Sequence, residues 1–488
     1  MERVAARILV AGAACVAVLL SLRALEGPFQ VWRVGVRSPL TLETVFTMIA
    51  AALLLLACRR RPGLAQPPRS ADLPLLLLAL ALTALAFLPN IRDPFLSDDY
   101  ILVGHATLDP HTVASSFVTP GGDGAFRPIG SIWYGLVHAL VGARFFPWHF
   151  SILALHLLNC ALLFAVVRVL WGNAPVSFTS ALLFGLHGTR AQVLAWASDN
   201  FDLLACALSL TAAWLLFRPA ARRAWLSAAF ALVLLAMAIL CKESAYAIPV
   251  IVFCLAAAAG RLHDRRVRLF LAGSVVVCAA LFAWRWSLFH GPGGYLDPST
   301  GRPAILSLHL LSTLKALCLR LWTILLFPLN WTEPTGGWVA AALLLGCGAV
   351  LFLLWSSGGL RPWLVLSMLA ATVCAMVPVL HLALVGESAL GSRIYYIPAL
   401  PFFVLAGHVV ASVTPRKRAV LALAALALGT VIVLEHNLRF WHRAALVADQ
   451  VCDDAAHGRP VPANSDALPG LLSFGNGLKE CVELKREK

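Results

Sequence analysis

Charge is what this sequence has least of. Only 13% of its 488 residues are Asp, Glu, Lys or Arg and 60% are hydrophobic, whereas soluble domains carry about 25% charged residues. So little charge cannot clothe a water-facing surface, which excludes an ordinary soluble enzyme. Acid is scarcer than base, 24 residues against 38, for a formal net charge of +14. No GxxxxGK[ST] phosphate-binding loop occurs, which argues against an ATP-driven pump of that kind. No internal repeat is visible, and no His/Cys/Asp spacing resembles a dedicated metal site.

What is present instead is apolar sequence of membrane-spanning length, about 20 residues each time. The excess base is concentrated in "RRRPGLAQPPR" (59 to 69), "RPAARR" (218 to 223), "RLHDRRVR" (261 to 268) and "PRKR" (415 to 418). These are short connections, so they read as cytoplasmic positive-inside loops and not as a nucleic-acid footprint. With them inside, about thirteen transmembrane helices follow, near 8–24, 41–58, 71–89, 148–170, 176–190, 200–217, 224–240, 245–260, 268–287, 337–355, 362–380, 394–412 and 419–435. Arg3 and Arg7 precede the first, and no small-residue cleavage site follows it, so it reads as an anchor. The segment 306 to 327 is apolar but broken by Lys315 and Arg320, and crossing there would put "PRKR" outside. It reads as an interfacial or re-entrant helix. The expected fold is all-α: two amino-terminal helices over 1–70, a transmembrane core over 71–435, and a short non-cytoplasmic tail over 436–488. Ten of the twelve cysteines fall in apolar or amphipathic segments; Cys452 and Cys481 lie in the tail and could pair in an oxidising compartment.

This topology, fixed from Lys and Arg in the loops, gathers a separate set of residues at the opposite face. Asp98, Asp99, Arg127, His187, Arg190, Asp199, Asp202, Lys242, Glu243, His381, Glu387 and Arg393 all fall at or near the non-cytoplasmic boundary. Ionisable groups are costly there and default to function. Asp98 and Asp99 stand out, because they follow the uncharged run "LPLLLLALALTALAFLPN" (73 to 90). The plainer reading is that Ser97 and Asp98 cap a short surface helix. Snorkelling is the plainer reading of Arg127 and Arg393. A structural ion pair is that of Lys242 with Glu243, hydrogen-bonded polar side chains that of His187 and His381, and an interfacial aromatic belt that of Tyr395 and Tyr396.

Four stretches resemble, in order, the C-type polytopic glycosyltransferases that use lipid-linked sugars, and most of all the membrane part of the transmembrane and tetratricopeptide-repeat O-mannosyltransferases. They are "SDDY" with "FRPIGSIWYGLVHALVG" (126 to 142), "LLFGLHGTRAQVLAWASDNFDLLA" (182 to 205), "LCKESAYAIPVIV" (240 to 252) and "GESALGSRIYYIPALPF" (386 to 402). The sequence departs at Gly188, where the family often has Pro, at Gln192, where Glu is frequent, and at Ser392, where Glu often precedes the Arg. The tetratricopeptide repeats are absent, and two extra helices precede the core.

The resemblance implies inverting transfer of a monosaccharide from a polyprenyl phosphate to an acceptor hydroxyl of a protein or glycan. Because phosphate leaves readily, the chemistry needs a base for the acceptor proton and cations for the phosphate. Asp98 and Asp99 become the candidate bases, with Asp98 matching the family's first acid. Arg127, Arg393 and Lys242 become candidate phosphate ligands, since guanidinium offers a planar fork to phosphoryl oxygens. Glu243, His187, Arg190, Asp202 and Glu387 are supporting candidates. The resemblance fixes no cofactor with certainty, and a divalent cation is left open. The other partners are membrane lipid and no nucleic acid, and the Ala-, Leu- and Arg-rich composition suggests a bacterial inner membrane with an outward-facing site. Two alternatives stay open: an O-antigen-ligase-like glycan transferase, and a lipid or sugar transporter or flippase.

Overall fold

The computed structural model describes residues 2–31, 34–36, 38–60, 72–119, 125–219, 223–295, 301, 303–306, 309–460 and 477–486. The basic stretch 61 to 69 and part of 218 to 223 lie outside the described residues. The chain opens with α1 (Glu2–Glu26), a short antiparallel hairpin of β1 (Phe29–Val31) and β2 (Val34–Val36), then α2 (Pro39–Arg59) and α3 (Asp72–Phe87). Two short helices, α4 (Asp98–Gly104) and α5 (Pro110–Ser116), lead into α6 (Pro128–Val141) and α7 (Phe145–Trp171). The central run is α8 (Ala174–Leu186), α9 (Arg190–Ala195), α10 (Asn200–Phe217), α11 (Ala224–Ile239), α12 (Ile248–Ala258) and α13 (Arg265–Phe289). Then α14 (Leu310–Lys315) passes through a π turn (Ala316–Arg320) into α15 (Leu321–Leu326). Last come α16 (Gly337–Ser356), α17 (Pro362–Ala375), α18 (Ala399–Ala411), α19 (Arg416–Ala456) and α20 (Gly477–Arg486).

This is an all-α polytopic membrane protein. Among the described residues, eight helices are long and apolar enough to cross a bilayer, namely α1, α2, α3, α7, α10, α13, α16 and α19. The other five expected crossings fall on α8, α11, α12, α17 and α18, which have 10–17 residues, so length alone does not reach thirteen. Several of these short helices form the interior: 11 of the 13 residues of α8 and 9 of the 13 of α18 are buried. By contrast α3 and α13 bury little and turn Leu77, Leu85, Val275 and Val276 outward, as lipid-facing helices do. Interior packing depends on small residues. A Cβ on Gly407 would stand 2.7 Å from the Val176 carbonyl oxygen, so α18 can approach α8 this closely only with glycine there.

Two ends of the bundle can be told apart. At one, Arg60 bonds the carbonyls of Trp355 and Ser357, and Arg266 donates to the Arg218 carbonyl at 2.7 Å; this is the end of the basic connections. At the other, Thr335 donates to the Ala24 carbonyl, Ser38 to Glu387, and Asn437 to the carbonyls of Gly188 and Pro328. The segment expected to be interfacial or re-entrant is held at both ends. Residues 304–306 pack against 377–382 before α14, and after α15 Asn330 N donates to Asn437 Oδ1. Both its ends sit at the second end of the bundle. Arg320 pairs with Glu43 at 3.3 Å, Glu43 also accepts from Trp331 Nε1 at 2.7 Å, and both charged side chains are buried.

The tail differs from expectation. No break occurs at His436: α19 continues to Ala456 and buries Asn437, Phe440 and Trp441. Cys452 and Cys481 are joined in a disulfide that fastens α20 to α19.

Candidate active site

The Asp pair divides its labour. α4 begins at Asp98, and residues 98, 101, 102 and 105, which share one helical face, line a cavity of about 690 Å³. Asp99 points the other way and is fully buried. Its Oδ1 accepts from Ser198 N and Ser198 Oγ, both at 2.6 Å, and its Oδ2 from Leu96 N at 2.9 Å. Burial pushes this carboxyl up to about 7, against the hydrogen bonds from Ser198 and Leu96. Ser97 makes no side-chain cap bond and has φ +33°, a strained value for a residue with a Cβ. The capping reading therefore fails: the backbone is held in this turn by Asp99, and Asp98 is left facing the cavity.

An Asp99→Ala variant is expected to leave three buried donors without an acceptor. At about 1–3 kcal/mol for each buried group left unsatisfied, a clear loss of stability follows, read as a lower unfolding temperature in detergent by tryptophan fluorescence. An unchanged midpoint would show that Asp99 does not hold this turn.

Three basic side chains, each paired with a carboxylate, line the same cavity. Arg127, at the start of α6 where Pro128 fixes the first turn, places Nη2 3.3 Å from Glu243 Oε2 and its guanidinium over the Phe201 ring. Lys242 Nζ stands 3.1 Å from Asp202 Oδ2, with both side chains buried. Arg393 Nη1 lies 2.5 Å from Asp199 Oδ1, its guanidinium over Trp196. Arg127, Lys242, Asp199, Arg393 and Tyr295 all line the cavity with Asp98, and Thr112, Ser115, Ser116 and Thr119 supply a hydroxyl-bearing side. A second, more apolar cavity of about 240 Å³ shares Arg127, Lys242 and Tyr295. It adds Glu243, Arg285, His381 and the apolar side chains of Phe282, Ile305, Val377 and Leu382.

The expected residues are thus partly brought together. Asp98, Arg127, Lys242 and Arg393 share one cavity; Asp202 and Glu243 hold its cations. Lys242 and Glu243 do not pair with each other, because their side chains diverge to Asp202 and to two arginines. Three supporting candidates line neither cavity. His187 bonds Thr189 and the Leu325 carbonyl. Arg190 is fully buried between the Phe184 and Tyr396 rings and donates to the Phe184 carbonyl. Glu387 accepts from Ser38 at 2.7 Å. Tyr395 and Tyr396 are not an interfacial belt: both are fully buried, and Tyr396 Oη bonds His156 and Asn159.

Gly188 also has a reason. A Cβ there would meet the Pro328 carbonyl oxygen at 2.6 Å, so the turn after α8 needs glycine. Arg285 and Tyr295 were not among the sequence candidates, and Asp199 was placed at the outer boundary without a role in the site. A signal existed for two of them: Asp199 precedes Asp202 by one helical turn, and Arg285 is a charge within an expected membrane span. Among the described residues, no three His, Cys, Asp or Glu side chains gather as a metal-holding group.

Fold and site together define an all-α polytopic membrane protein with Asp98 and three ion-paired basic side chains around one cavity at the end opposite the basic loops. No protein-family model matches the chain. Over 134 residues it is 30% identical to Protein O-mannosyl-transferase Tmtc2 of Drosophila melanogaster, covering 26% of this chain and 14% of that one. Over 197 residues it is 25% identical to Protein O-mannosyl-transferase Tmtc1 of the same organism, covering 38% and 23%. The chain therefore matches less than a quarter of the length of these relatives.

Among solved structures, it is similar to the Archaeoglobus fulgidus oligosaccharyltransferase complexed with Zn and sulfate, with a TM-score of 0.41 and 12% identity, covering 80% of this chain and 58% of that one. It is similar also to ArnT from Cupriavidus metallidurans bound to undecaprenyl phosphate, with a TM-score of 0.39 and 15% identity, covering 80% and 82%. At these scores no residue correspondence is drawn.

Proposed function

We propose that this protein is an inverting membrane glycosyltransferase that moves a monosaccharide from a polyprenyl-phosphate carrier to an acceptor hydroxyl of a protein or glycan. The reaction takes place at the non-cytoplasmic face, in a bacterial inner membrane. The observation that carries this reading is that Asp98 shares one cavity with Arg127, Lys242 and Arg393. The partial likeness to two O-mannosyl-transferases supports it.

The chemistry follows from the arrangement. The acceptor oxygen forms a bond to the anomeric carbon as the bond from that carbon to the phosphate oxygen breaks. The acceptor proton passes to the Asp98 carboxylate, and the electron pair leaves with the phosphate. Charge grows on that phosphate as it departs, and Arg127, Lys242 and Arg393 stand where it can be met, so their interaction strengthens in the transition state. Asp199, Asp202 and Glu243 keep these cations aimed when the site holds no donor. The smaller cavity has an apolar side of Phe282, Ile305, Val377 and Leu382, which suits the first isoprenoid units of the carrier.

The direct test is transfer of labelled sugar from a polyprenyl-phosphate sugar by the purified protein in lipid. No transfer with any polyprenyl-phosphate hexose or pentose would end this reading. Within it, Arg127→Lys and Arg393→Lys keep the charge but lose the planar fork. Each is expected to weaken donor binding about tenfold or more, matching about 1.5–3 kcal/mol of charged hydrogen bonding. Unchanged donor affinity in both would return these residues to structural ion pairs.

A further inference from the structure

The disulfide lies far along the chain from the Asp pair, yet the two meet in space. α20 packs against α4 as well as against α19, and Cys452 and Cys481 are both fully buried at its anchoring point. Lys485 of α20 stands 2.8 Å from Asp449 of α19, and Glu480 stands 3.5 Å from His105, the residue that ends α4. On its cavity face α4 carries Asp98, Ile101, Leu102 and His105; away from it, Tyr100 and Val103 are buried.

Neither partner helix is stable alone. α4 has 7 residues and α20 has 10, both below the length at which a helix persists in water without tertiary support. The Asp99 bonds tie the backbone entering α4 to Leu96 and Ser198; the direction of the helix axis, which aims Asp98, depends on what packs along the helix. The rest of α4 is backed by α20, and α20 is fastened to the long α19 by one covalent link.

We propose that Cys452 and Cys481 are positioning residues: their disulfide clamps the carboxy-terminal helix onto α4 and so holds Asp98 toward the cavity. The inference rests on the reading of Asp98 as the base, and it assigns the tail a part in catalysis. The clamp acts on the base and not on the cations, so its loss affects turnover more than donor binding.

The experiment uses the full chain in lipid nanodiscs, comparing wild type with the double variants Cys452→Ala/Cys481→Ala and Cys452→Ser/Cys481→Ser. The Ser pair keeps the side-chain size close to the native one and removes only the covalent link. Backbone hydrogen–deuterium exchange over 97–105 is expected to speed up at least tenfold in both, with exchange in α8 and α10 unchanged. Turnover is expected to fall at least tenfold, with the KM for the donor lipid within twofold of wild type.

Unchanged exchange over 97–105 would overturn the clamp whether or not the protein transfers sugar, so its failure is distinct from failure of the glycosyltransferase reading. Faster exchange with undiminished turnover would overturn the positioning role. Should the double variants fail to fold, Lys485→Glu keeps the disulfide and reverses the charge facing Asp449. It is expected to speed exchange over 97–105 at least threefold, and no change there overturns the proposal.

Discussion

Replacing Asp98 by Asn is expected to lower turnover by roughly 10²- to 10⁴-fold, the usual contribution of a positioned general base, while donor affinity stays within about threefold. Asn keeps the size and hydrogen-bonding capacity of the side chain and deletes the proton acceptor. Asp98 lines the cavity that holds Arg127, Lys242 and Arg393, so the loss belongs to the transition state and not to folding. Asp99→Asn should behave differently. One of its oxygens becomes an NH₂ group, and the Leu96 and Ser198 donors then compete for a single acceptor, so stability falls along with activity. Single-turnover rates and donor titrations on the two folded variants separate the cases. A folded Asp98→Asn protein transferring sugar at near wild-type rate would falsify the assignment of the base.

The second large effect concerns the buried pair between α2 and the interfacial segment. Arg320→Met is expected to cost about 3–5 kcal/mol, because removing one partner strands the other charge in a low-dielectric interior. Glu43, fully buried, would keep only the Trp331 hydrogen bond. Glu43→Gln/Arg320→Met should recover most of that loss, since Gln still accepts from Trp331 and no charge remains to bury. Thermal unfolding of both single variants and the double variant in one detergent gives the coupling between the two sites. A double variant as unstable as Arg320→Met alone would show that the pair is not the source of the effect.

Membrane class and the position of most helices were legible because they follow from hydropathy and from loop charge, which act residue by residue. The pairing of cations with carboxylates was not. Asp202 and Lys242 are 40 positions apart, and Glu43 and Arg320 are 277 apart, and nothing local to either announces the other. His187, Arg190 and Glu387 reached the correct end of the bundle and still missed the cavity. Topology assigns depth in the membrane but not the direction in which a side chain points. Adjacent Asp98 and Asp99 make the same distinction at closest range: helical geometry requires them to diverge, but the donors that draw Asp99 inward, at Leu96 and Ser198, come from packing that the sequence does not display. Tyr395 and Tyr396 were misread because two aromatic rings near a boundary look alike whether lipid or protein covers them.

One helix gears the two faces of the membrane together. α19 runs without interruption from Arg416, beside the basic connections, to Ala456, and an α-helix advances about 100° per residue. A single residue inserted near Ala424 would rotate everything after it by about that angle if the helix stayed intact. Asn437 would swing off the Gly188 and Pro328 carbonyls, and Cys452 off its partner. Length changes at the end of the basic connections are thereby felt as a change of phase at the other end, and α19 can tolerate whole turns far better than single residues.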